Sequence, residues 1–473
     1  MSEKHQKDES YRDSVSTIGE DGKRVWVYPK KPSGKWFKRR TLVSYGLLIL
    51  LFGIPFIHIG EEPLLLLNFI ERKFVIFGQV FWPQDFHLFA FAMITLVVFV
   101  ILFTVVFGRL FCGWMCPQTI FMEMLFRKIE YWIEGDFKQQ KKLARQPWNG
   151  EKILKKGAKF SLFYLISFFI ANVFLAYIIG SEEVIATIVD DPHNHLSGLT
   201  AIIIFSFIFF FVFSYFREQV CTTICPYGRL QGVLLDKNSI VVSYDHLRGE
   251  GRGLFRKGED RKTADKGDCI DCGQCVNVCP TGIDIRNGTQ LECINCTACI
   301  DACDHMMEKT GLEPGLIRYD SDHGIDTGKT FEITTRIKAY TAVLLVLIGL
   351  FFVIIFSRTE VETTLLRTPG MLYQKRGEDK ISNLYNYKII NKTAEGFPVA
   401  FRLENAMGEI QLIGETTLSI DKQSSIEGSL FIIVPKEEIS KTKTTIKVGI
   451  YAGEEKLETV KTHFTGPIVR KKK

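Results

Sequence analysis

CIDCGQCVNVCP, residues 269–280, is the most specific stretch of this sequence, and a second cysteine run, CINCTACIDAC, follows at residues 293–303. The first run has the spacing C-x2-C-x2-C-x3-C-P. In this pattern three closely spaced thiolates surround one iron–sulfur cubane and the fourth cysteine ligates the neighbouring cubane. The two runs therefore predict a bacterial-ferredoxin-like module with two 4Fe–4S clusters that pass single electrons between them.

The crossing pattern also predicts the ligands of each cluster. One cluster is expected on Cys269, Cys272, Cys275 and Cys303, and the other on Cys279, Cys293, Cys296 and Cys299. The second run ends in Asp304 and not in proline, which removes no ligand. Zinc is the alternative metal, but zinc sites use two separated pairs of ligands rather than two ladders of four cysteines.

The remainder of the 473-residue chain separates into apolar blocks and charged segments. Five blocks free of Asp, Glu, Lys and Arg reach the length of about 18 residues that a membrane span needs. They lie at Thr41–Ile59, Phe86–Gly108, Phe160–Gly180, Leu196–Phe216 and Ala339–Ser357. The sequence therefore predicts an α-helical membrane protein with five transmembrane helices, and it excludes a single soluble globular domain.

Lys and Arg alternate in number between the connections of these blocks. Residues 1–40 contain 11, residues 60–85 contain 2, residues 109–159 contain 11, residues 181–195 contain none and residues 217–338 contain 16. Because cytoplasmic connections are enriched in Lys and Arg, the N-terminus and the cluster module are expected in the cytoplasm. An odd number of spans then places the C-terminal part outside. The net charge of +6 is mild, and the basic residues cluster beside the apolar blocks. This pattern favours a membrane surface as the partner and not nucleic acid.

These observations predict five segments. They are a basic cytoplasmic segment at 1–40, a four-helix membrane domain at 41–216, the cytoplasmic two-cluster module at 217–338, a fifth transmembrane helix at 339–357 and an outer domain at 358–473. In the outer domain, short β-branched runs alternate with polar turns, which is typical of a small β-sandwich. The runs are Tyr387–Ile390, Val399–Leu403, Ile410–Ile413, Ser429–Val434 and Thr444–Tyr451.

The other four cysteines form two C-x3-C-P motifs, Cys112–Pro117 and Cys221–Pro226. Each motif begins just after a predicted span, and corresponding cysteines are 109 residues apart, as 221 − 112 and 225 − 116 both show. The repeat indicates an internal duplication that would bring Cys112, Cys116, Cys221 and Cys225 together on one membrane face. Each proline suits the first turn of a new helix.

Soft thiolate ligands select Cu(I), zinc or iron–sulfur clusters, whereas Cu(II) prefers nitrogen and oxygen. Four thiolates beside an electron source are therefore a place where Cu(II) could be reduced and Cu(I) retained, with these cysteines as both catalytic groups and metal ligands. A third iron–sulfur centre, a redox-active dithiol and plain membrane-edge thiols are the alternatives. His193 and His195 in an outer loop could bind copper or haem, but a solvated loop pair is the favoured interpretation.

The motifs as a set resemble the FixG/CcoG family of cytochrome c oxidase accessory proteins. The matching segments are Arg109–Glu134 with CGWMCPQT, Cys221–Asp236 with CPYGR, Tyr244–Gly253, and Gly267–Tyr319 with CPTGIDIR and IDACD. The resemblance implies an immunoglobulin-like C-terminal domain in the periplasm and a multi-pass protein of the bacterial inner membrane. It also implies a cupric reductase that supplies Cu(I) to the assembly of a cbb-type cytochrome c oxidase.

Three functions are compared on this basis: a cupric reductase, a quinol dehydrogenase or electron conduit of the membrane polyferredoxin type, and a non-catalytic assembly scaffold. A conduit to outer partners would need a carrier beyond the membrane, yet residues 358–473 contain no cysteine and no haem motif. Twelve thiols in three groups are excessive for a scaffold. The expected partners are the lipid bilayer, copper ions, oxidase assembly factors or copper chaperones or transporters, and a cytoplasmic or quinol electron donor. A homodimer stays open.

Overall fold

The computed structural model describes residues 16–467 apart from 20, 61, 71–72, 82–85, 192, 194, 262, 330–331, 358, 360, 378, 394, 415–417, 423 and 440–441. Residues 1–15 of the predicted N-terminal segment lie outside the described part. The chain forms two compact units. The first comprises residues 1–79 and 83–351, and the second comprises residues 80–82 and 352–473.

Five helices of the described chain are long and apolar enough to cross a membrane, which confirms the predicted number. Their spans are Lys35–Phe56, His87–Phe107, Gly150–Ile179, Leu196–Phe216 and Thr335–Phe356. Three helices begin earlier than predicted, at Lys35, Gly150 and Thr335, because their first turns carry charged residues and fall outside an uncharged window. The side chain of Asn149 caps the second of these by accepting a hydrogen bond from the Lys152 backbone N–H at 2.9 Å.

The α-helices, in chain order, are α1 Lys35–Gly53, α2 Phe86–Phe107, α3 Leu110–Trp114, α4 Pro117–Ile120, α5 Arg127–Ile133, α6 Phe137–Arg145, α7 Gly150–Ile179, α8 Ser181–Val189, α9 Leu196–Phe211, α10 Pro226–Leu234, α11 His246–Gly249, α12 Gln274–Asn277, α13 Ala298–Thr310, α14 Asp322–Thr327 and α15 Thr335–Phe356. π-helical turns at Phe121–Phe126, Val212–Phe216 and Val220–Ile224 lie close to both C-x3-C-P motifs. Such turns are rare and often mark functional sites.

Aromatic rings form the core of the helical part. Phe126 stacks on Phe213 with a centroid distance of 4.5 Å and meets Phe163 edge-to-face at 4.8 Å. All three side chains are almost fully buried. Since helices in lipid associate through close packing rather than hydrophobic exclusion, these contacts hold α7 and α9 against the helix that follows the first C-x3-C-P motif.

The strands of the N-terminal part are β1 His58–Ile59, β2 Glu62–Pro63, β3 Leu65–Asn68, β4 Lys73–Ile76, β5 Gln79–Phe81, β6 Val241–Tyr244 and β7 Ile317–Asp320. β1 pairs with β2 and β3 with β4, in a connection that the sequence pattern left without structure. β6 and β7 pair antiparallel, with Val242 opposite Tyr319, and they bracket the cysteine ladder.

The second unit is the predicted β-sandwich. Its strands are β8 Val361–Arg367, β9 Gln374–Arg376, β10 Lys380–Asn391, β11 Phe397–Leu403, β12 Glu409–Leu412, β13 Leu418–Ile420, β14 Ser425–Pro435, β15 Lys443–Ala452 and β16 Glu455–Thr465. One antiparallel sheet has the order β12, β14, β10, β8, with β9 also on β10, and the other has the order β13, β11, β15, β16. Tyr385, Ile432 and Ile450 are fully buried among the apolar side chains between the sheets.

The five predicted runs all coincide with strands of this unit, although β12 ends one residue before Ile413. The sequence pattern missed β8, β9, β13 and β16. β16 is the largest omission. It carries charged residues on one face, yet it pairs with β15 along its length and buries Phe464 completely.

Candidate metal centres

The eight ladder cysteines surround two small adjoining cavities. Cys269, Cys272, Cys275 and Cys303 line one cavity, which we call the distal site. Cys279, Cys293, Cys296 and Cys299 line the other, which we call the proximal site, and Cys275 lies at the wall between them. The grouping is the one that the crossing pattern predicts. Four soft thiols around an otherwise apolar cavity form a donor set that fits a 4Fe–4S cluster.

The two loops have the same backbone conformation, which explains how both wrap a cavity. Asp271 and Gly273 have φ of 51° and 62°, and their counterparts Asn295 and Thr297 have φ of 52° and 65°. Left-handed residues between right-handed ones turn successive backbone N–H groups toward one point, which favours a bound anion. This conformation is strained for the β-branched Thr297. The second loop nevertheless has the same backbone conformation as the first, where the corresponding residue is Gly273.

Burial strongly affects the ladder thiols. It raises the pKa of Cys275 and of Cys293 to about 12, and it also raises the pKa of Cys299 and Cys303. These side chains would be protonated at neutral pH without a compensating positive charge. Iron supplies that charge and keeps a coordinated thiol deprotonated, so the burial pattern supports buried metal–thiolate centres.

The two C-x3-C-P motifs lie at the ends of the helical stretches that begin with α2 and α9. Pro117 and Pro226 are the first residues of α4 and α10, so Cys116 and Cys225 cap those helices as predicted. The four thiols interact electrostatically: Cys221 with the other three, and Cys112 with Cys116 and Cys225. The structure therefore brings both motifs together.

Burial raises the pKa of Cys112 to about 11 and that of Cys221 to about 12. The Sγ of Cys112 donates a hydrogen bond to Gln231 Oε1 at 3.4 Å, and the Sγ of Cys221 lies 3.9 Å from Thr119 Oγ1. Like the ladder thiols, these groups need a nearby cation before they become thiolates.

Among the described residues, no three His, Cys, Asp or Glu side chains lie close enough to hold a single metal ion. A cubane separates its four thiolates more widely than one ion does, so this spacing suits the ladder. For the C-x3-C-P thiols it fits a cluster, or a Cu(I) ion held by two thiolates, better than a preformed site with three or more ligands. In the loop between α8 and α9, His193 is exposed, and His195 Nε2 lies 3.5 Å from an oxygen of Asp190.

The first C-x3-C-P motif contacts the proximal loop directly. A Cβ atom on Gly113 would lie only 2.2 Å from the Ile294 carbonyl oxygen, so only glycine fits this close approach. Trp114 Nε1 donates to Tyr319 Oη at 3.1 Å, and Tyr319 Oη donates to the Asn295 carbonyl at 3.1 Å. The thiols and the proximal site are therefore one continuous packed structure.

The N-terminal segment ties the cysteine ladder to the helices, which the sequence did not indicate. Ser16 Oγ donates to the Thr281 carbonyl at 2.7 Å, and the Lys30 N–H donates to the Asn277 carbonyl at 2.7 Å. The Asp301 carboxylate, between two ladder cysteines, accepts hydrogen bonds from the first backbone N–H groups of α1, those of Trp36 at 3.0 Å and Phe37 at 2.7 Å. An anion at a helix N-terminus is stabilised by the helix dipole.

A buried ion network, also missed, holds the second motif. Arg217 forms two hydrogen bonds to the Glu130 carboxylate, at 2.5 and 2.8 Å, and Lys159 lies 3.5 Å from the same group. Burial alone would raise the pKa of Glu130, but Arg217 and Lys159 lower it to about 2. Glu218, three residues before Cys221, pairs with Arg24 at 3.2 Å. The charges of α5 that a sequence pattern assigns to solvent thus face inward.

Three family models match the chain. One described as "4Fe-4S dicluster domain" covers residues 216–322, one described as "4Fe-4S binding domain" covers residues 89–138, and one described as "IG-like fold at C-terminal of FixG" covers residues 351–467. The only cysteines within 89–138 are Cys112 and Cys116.

Curated relatives match over most of the chain. Protein RdxB of Cereibacter sphaeroides is 34% identical over 79% of this chain and 80% of its own length, and protein RdxA of the same organism is 31% identical over 87% and 86%. The nitrogen fixation protein FixG of Rhizobium meliloti is 33% identical over 63% of this chain and 57% of its own length. A solved FixG-related protein from Vibrio parahaemolyticus aligns with 23% of this chain at 17% identity and a TM-score of 0.20.

Proposed function

We propose that this chain, which belongs to the FixG family and is a membrane iron–sulfur electron-transfer protein, reduces Cu(II) to Cu(I) at its C-x3-C-P thiols. One observation carries the proposal: Cys221 and Cys112 interact electrostatically with the other C-x3-C-P thiols, and Gly113, next to Cys112, packs directly on the loop of the proximal site. An electron held at that site would reach a soft ligand set without crossing solvent.

In the proposed reaction, one Cu(II) gains one electron and becomes Cu(I), and an external one-electron donor replaces the electron. The ladder clusters, when bound, supply single electrons. Cys112, Cys116, Cys221 and Cys225 would hold copper as thiolates, which stabilise the softer Cu(I). Arg109, whose positive charge acts on Cys112, would favour its thiolate form. Gln231 would orient the same sulfur through its hydrogen bond.

A third 4Fe–4S cluster on the same four thiols is the second candidate. Two observations favour it. The match over residues 89–138 to a 4Fe–4S binding domain includes Cys112 and Cys116, and no three of the described thiols lie close enough to hold one ion together. In that case copper or another acceptor would receive the electron from this third cluster, and the chain would act as a conduit.

The proposed destination of the electron and of copper is inferred from family membership alone. We propose that Cu(I) serves the copper site of a cbb-type cytochrome c oxidase, through assembly factors, chaperones or transporters. The electron donor is then a cytoplasmic carrier or a membrane quinol. An assembly scaffold without catalysis is less consistent with twelve free cysteines in three groups.

The proposed orientation places the clusters in the cytoplasm and the sandwich in the periplasm of the inner membrane. A reporter enzyme active only outside the cytoplasm is expected to be active when fused after Lys473 and silent when fused after Gly311. The reason is the Lys and Arg alternation, because positive connections stay on the cytoplasmic side. The reverse pattern of activity would move the clusters outside and remove the proposed cytoplasmic source of electrons.

The reductase proposal is tested with full-length protein reduced by dithionite, freed of excess reductant and mixed with Cu(II) without oxygen. We expect about two Cu(I) per chain, one for each reduced cluster, measured with a Cu(I)-specific chelator. Cys269→Ser should lower this yield while copper binding persists. If oxidised protein produced the same amount of Cu(I), the thiols themselves would be the source of the electrons. Rapid quinol oxidation with no response to copper would support the conduit function instead.

A further inference from the structure

Two buried arginines lie on the side of the proximal site that faces the helical bundle. Arg40 belongs to α1 and is 3% exposed, and Arg109 directly precedes α3 and is 4% exposed. A guanidinium group stays charged in proteins, so each places a full positive charge in a region from which water is largely excluded.

Arg40 is held by the first C-x3-C-P motif. Its Nε donates to the Gly113 carbonyl at 2.7 Å, while its Nη2 is buried without a hydrogen-bond partner. The positive charge acts on Cys296, a predicted ligand of the proximal site, where it is the strongest influence that opposes burial. The positive charge of Arg40 therefore acts on the proximal site, and no carboxylate in the described part of the chain forms an ion pair with it.

Arg109 lies between the proximal site and the C-x3-C-P thiols. Its Nη2 donates to the Gly228 carbonyl at 2.6 Å, and its Nε is buried without a partner. Together with Cys293 it lines a small cavity, and its charge interacts with Cys112, Cys293 and Glu292. In the described part of the chain, neither Arg109 nor Arg40 forms an ion pair with a carboxylate.

Around the distal site, Arg261 is also buried, donates to the Cys269 carbonyl at 3.1 Å and keeps its Nη1 without a partner. The other basic residues there are held by carboxylates. Arg286 pairs with Asp284 at 2.7 Å and with Asp271 at 2.5 Å. Two further arginines of this loop region, Arg248 and Arg252, pair with Asp268 and Glu250. The charges of these three arginines are largely neutralised by carboxylates. The distal site therefore has one buried arginine outside the described ion pairs where the proximal site has two, and its Cys272 is exposed to solvent, which screens charge further.

We propose that Arg40 and Arg109 are positioning residues for electron transfer, which raise the reduction potential of a cluster at the proximal site above that of a cluster at the distal site. A cluster gains one negative charge on reduction, and its potential depends on nearby charge and on solvent exposure. Uncompensated positive charge in a medium of low dielectric constant therefore stabilises the reduced form. The inference rests on the ladder clusters alone and does not depend on copper.

The resulting step is the movement of one electron. The distal cluster is oxidised by one electron, the proximal cluster is reduced by one electron, and no bond or proton changes place. Because the exposed Cys272 marks the distal site as the accessible end, electrons enter there and collect beside Arg109 and Cys112. The charge pattern thus sets the direction of transfer, from solvent toward the C-x3-C-P thiols.

The test is an anaerobic redox titration of the full-length protein in detergent, followed by EPR. Arg40→Gln and Arg109→Gln are each expected to make the reduced form of one cluster about tenfold less favoured at a fixed potential, which is about 59 mV for a one-electron couple. The cluster that shifts should be the one of higher potential in the parent protein. Arg40→Lys and Arg109→Lys keep the charge and should restore the parent potential.

Arg256→Gln, which removes an exposed charge, is the matched control and should leave both potentials unchanged. The proposal is overturned if the Gln variants retain both clusters with unchanged potentials, or if the shifted cluster is the one of lower potential. If a Gln variant loses a cluster, the reduction potential of the corresponding Lys variant still tests the proposal. A Lys variant with an intact cluster and a lowered potential would show that hydrogen-bond geometry, and not charge, controls the site.

Discussion

Replacing Cys296 with serine is expected to remove one of two cluster signals from the EPR spectrum and to lower the iron content by about four atoms per chain. The parent ladder should hold about eight irons, four in each cluster. A serine oxygen is a hard ligand and replaces the soft thiolate that iron–sulfur clusters require. Because Cys296 lies at the proximal cavity and not at the distal one, the remaining signal should come from the distal cluster.

Cys112→Ser is the matched control, since Cys112 is also a buried thiol but belongs to neither ladder cavity. Both ladder signals should persist in this variant. A parent protein with only about four irons in its ladder, or with zinc in their place, would show that the assignment of the eight ligands is wrong. Iron content and EPR of anaerobically purified protein give these answers directly.

The sequence predicted those features whose pattern is local. The four-cysteine runs are decided by spacing within about a dozen residues, and the spans by uninterrupted apolar composition. The five recognised strands of the sandwich follow from alternating β-branched residues. In each case neighbouring residues alone determine the structure, so reading along the chain is sufficient.

Features that depend on distant partners could not be read in this way. Asp301 looks like a surface residue of a helix, and only the fold brings it to the N-terminus of α1. Arg127 and Glu130 resemble the solvated face of an amphipathic helix, but they are buried because Arg217 and Glu218 supply opposite charges from another element. β16 has the composition of a solvated edge strand, and its pairing with β15 overrides that composition.

The C-x3-C-P site could be predicted from the sequence only in part. The spacing of 109 residues correctly indicated that Cys112, Cys116, Cys221 and Cys225 meet, because duplicated hairpins pack as a pair. The spacing does not specify what they bind. Ligand identity depends on distances between sulfur atoms and on the charges around them, and only the fold brings Arg109 and Gln231 to these sulfur atoms. The quadruple replacement of these thiols therefore has the greatest diagnostic value.

Replacing Cys112, Cys116, Cys221 and Cys225 together by serine is expected to weaken Cu(I) binding at least a hundredfold, which is about 2.8 kcal/mol at 1.4 kcal/mol for each tenfold change. The reason is that no other cysteine of the sequence lies outside the ladder, and hydroxyl oxygens bind Cu(I) poorly. Binding is measured by competition with a Cu(I) chelator under anaerobic conditions. Copper reduction by the dithionite-reduced variant should fall to the level of a ladder-free control.

Iron content separates the two candidate ligands of these thiols in the same variant. If they bind copper, the ladder keeps about eight irons and both EPR signals, while only copper binding is lost. If they hold a third cluster, the parent protein contains about twelve irons and the variant loses about four of them. A variant that binds and reduces copper at the parent rate would exclude these thiols as the copper site. The raised pKa values of Cys112 and Cys221 add a further condition: either ligand must displace protons, so its binding should strengthen as the pH rises.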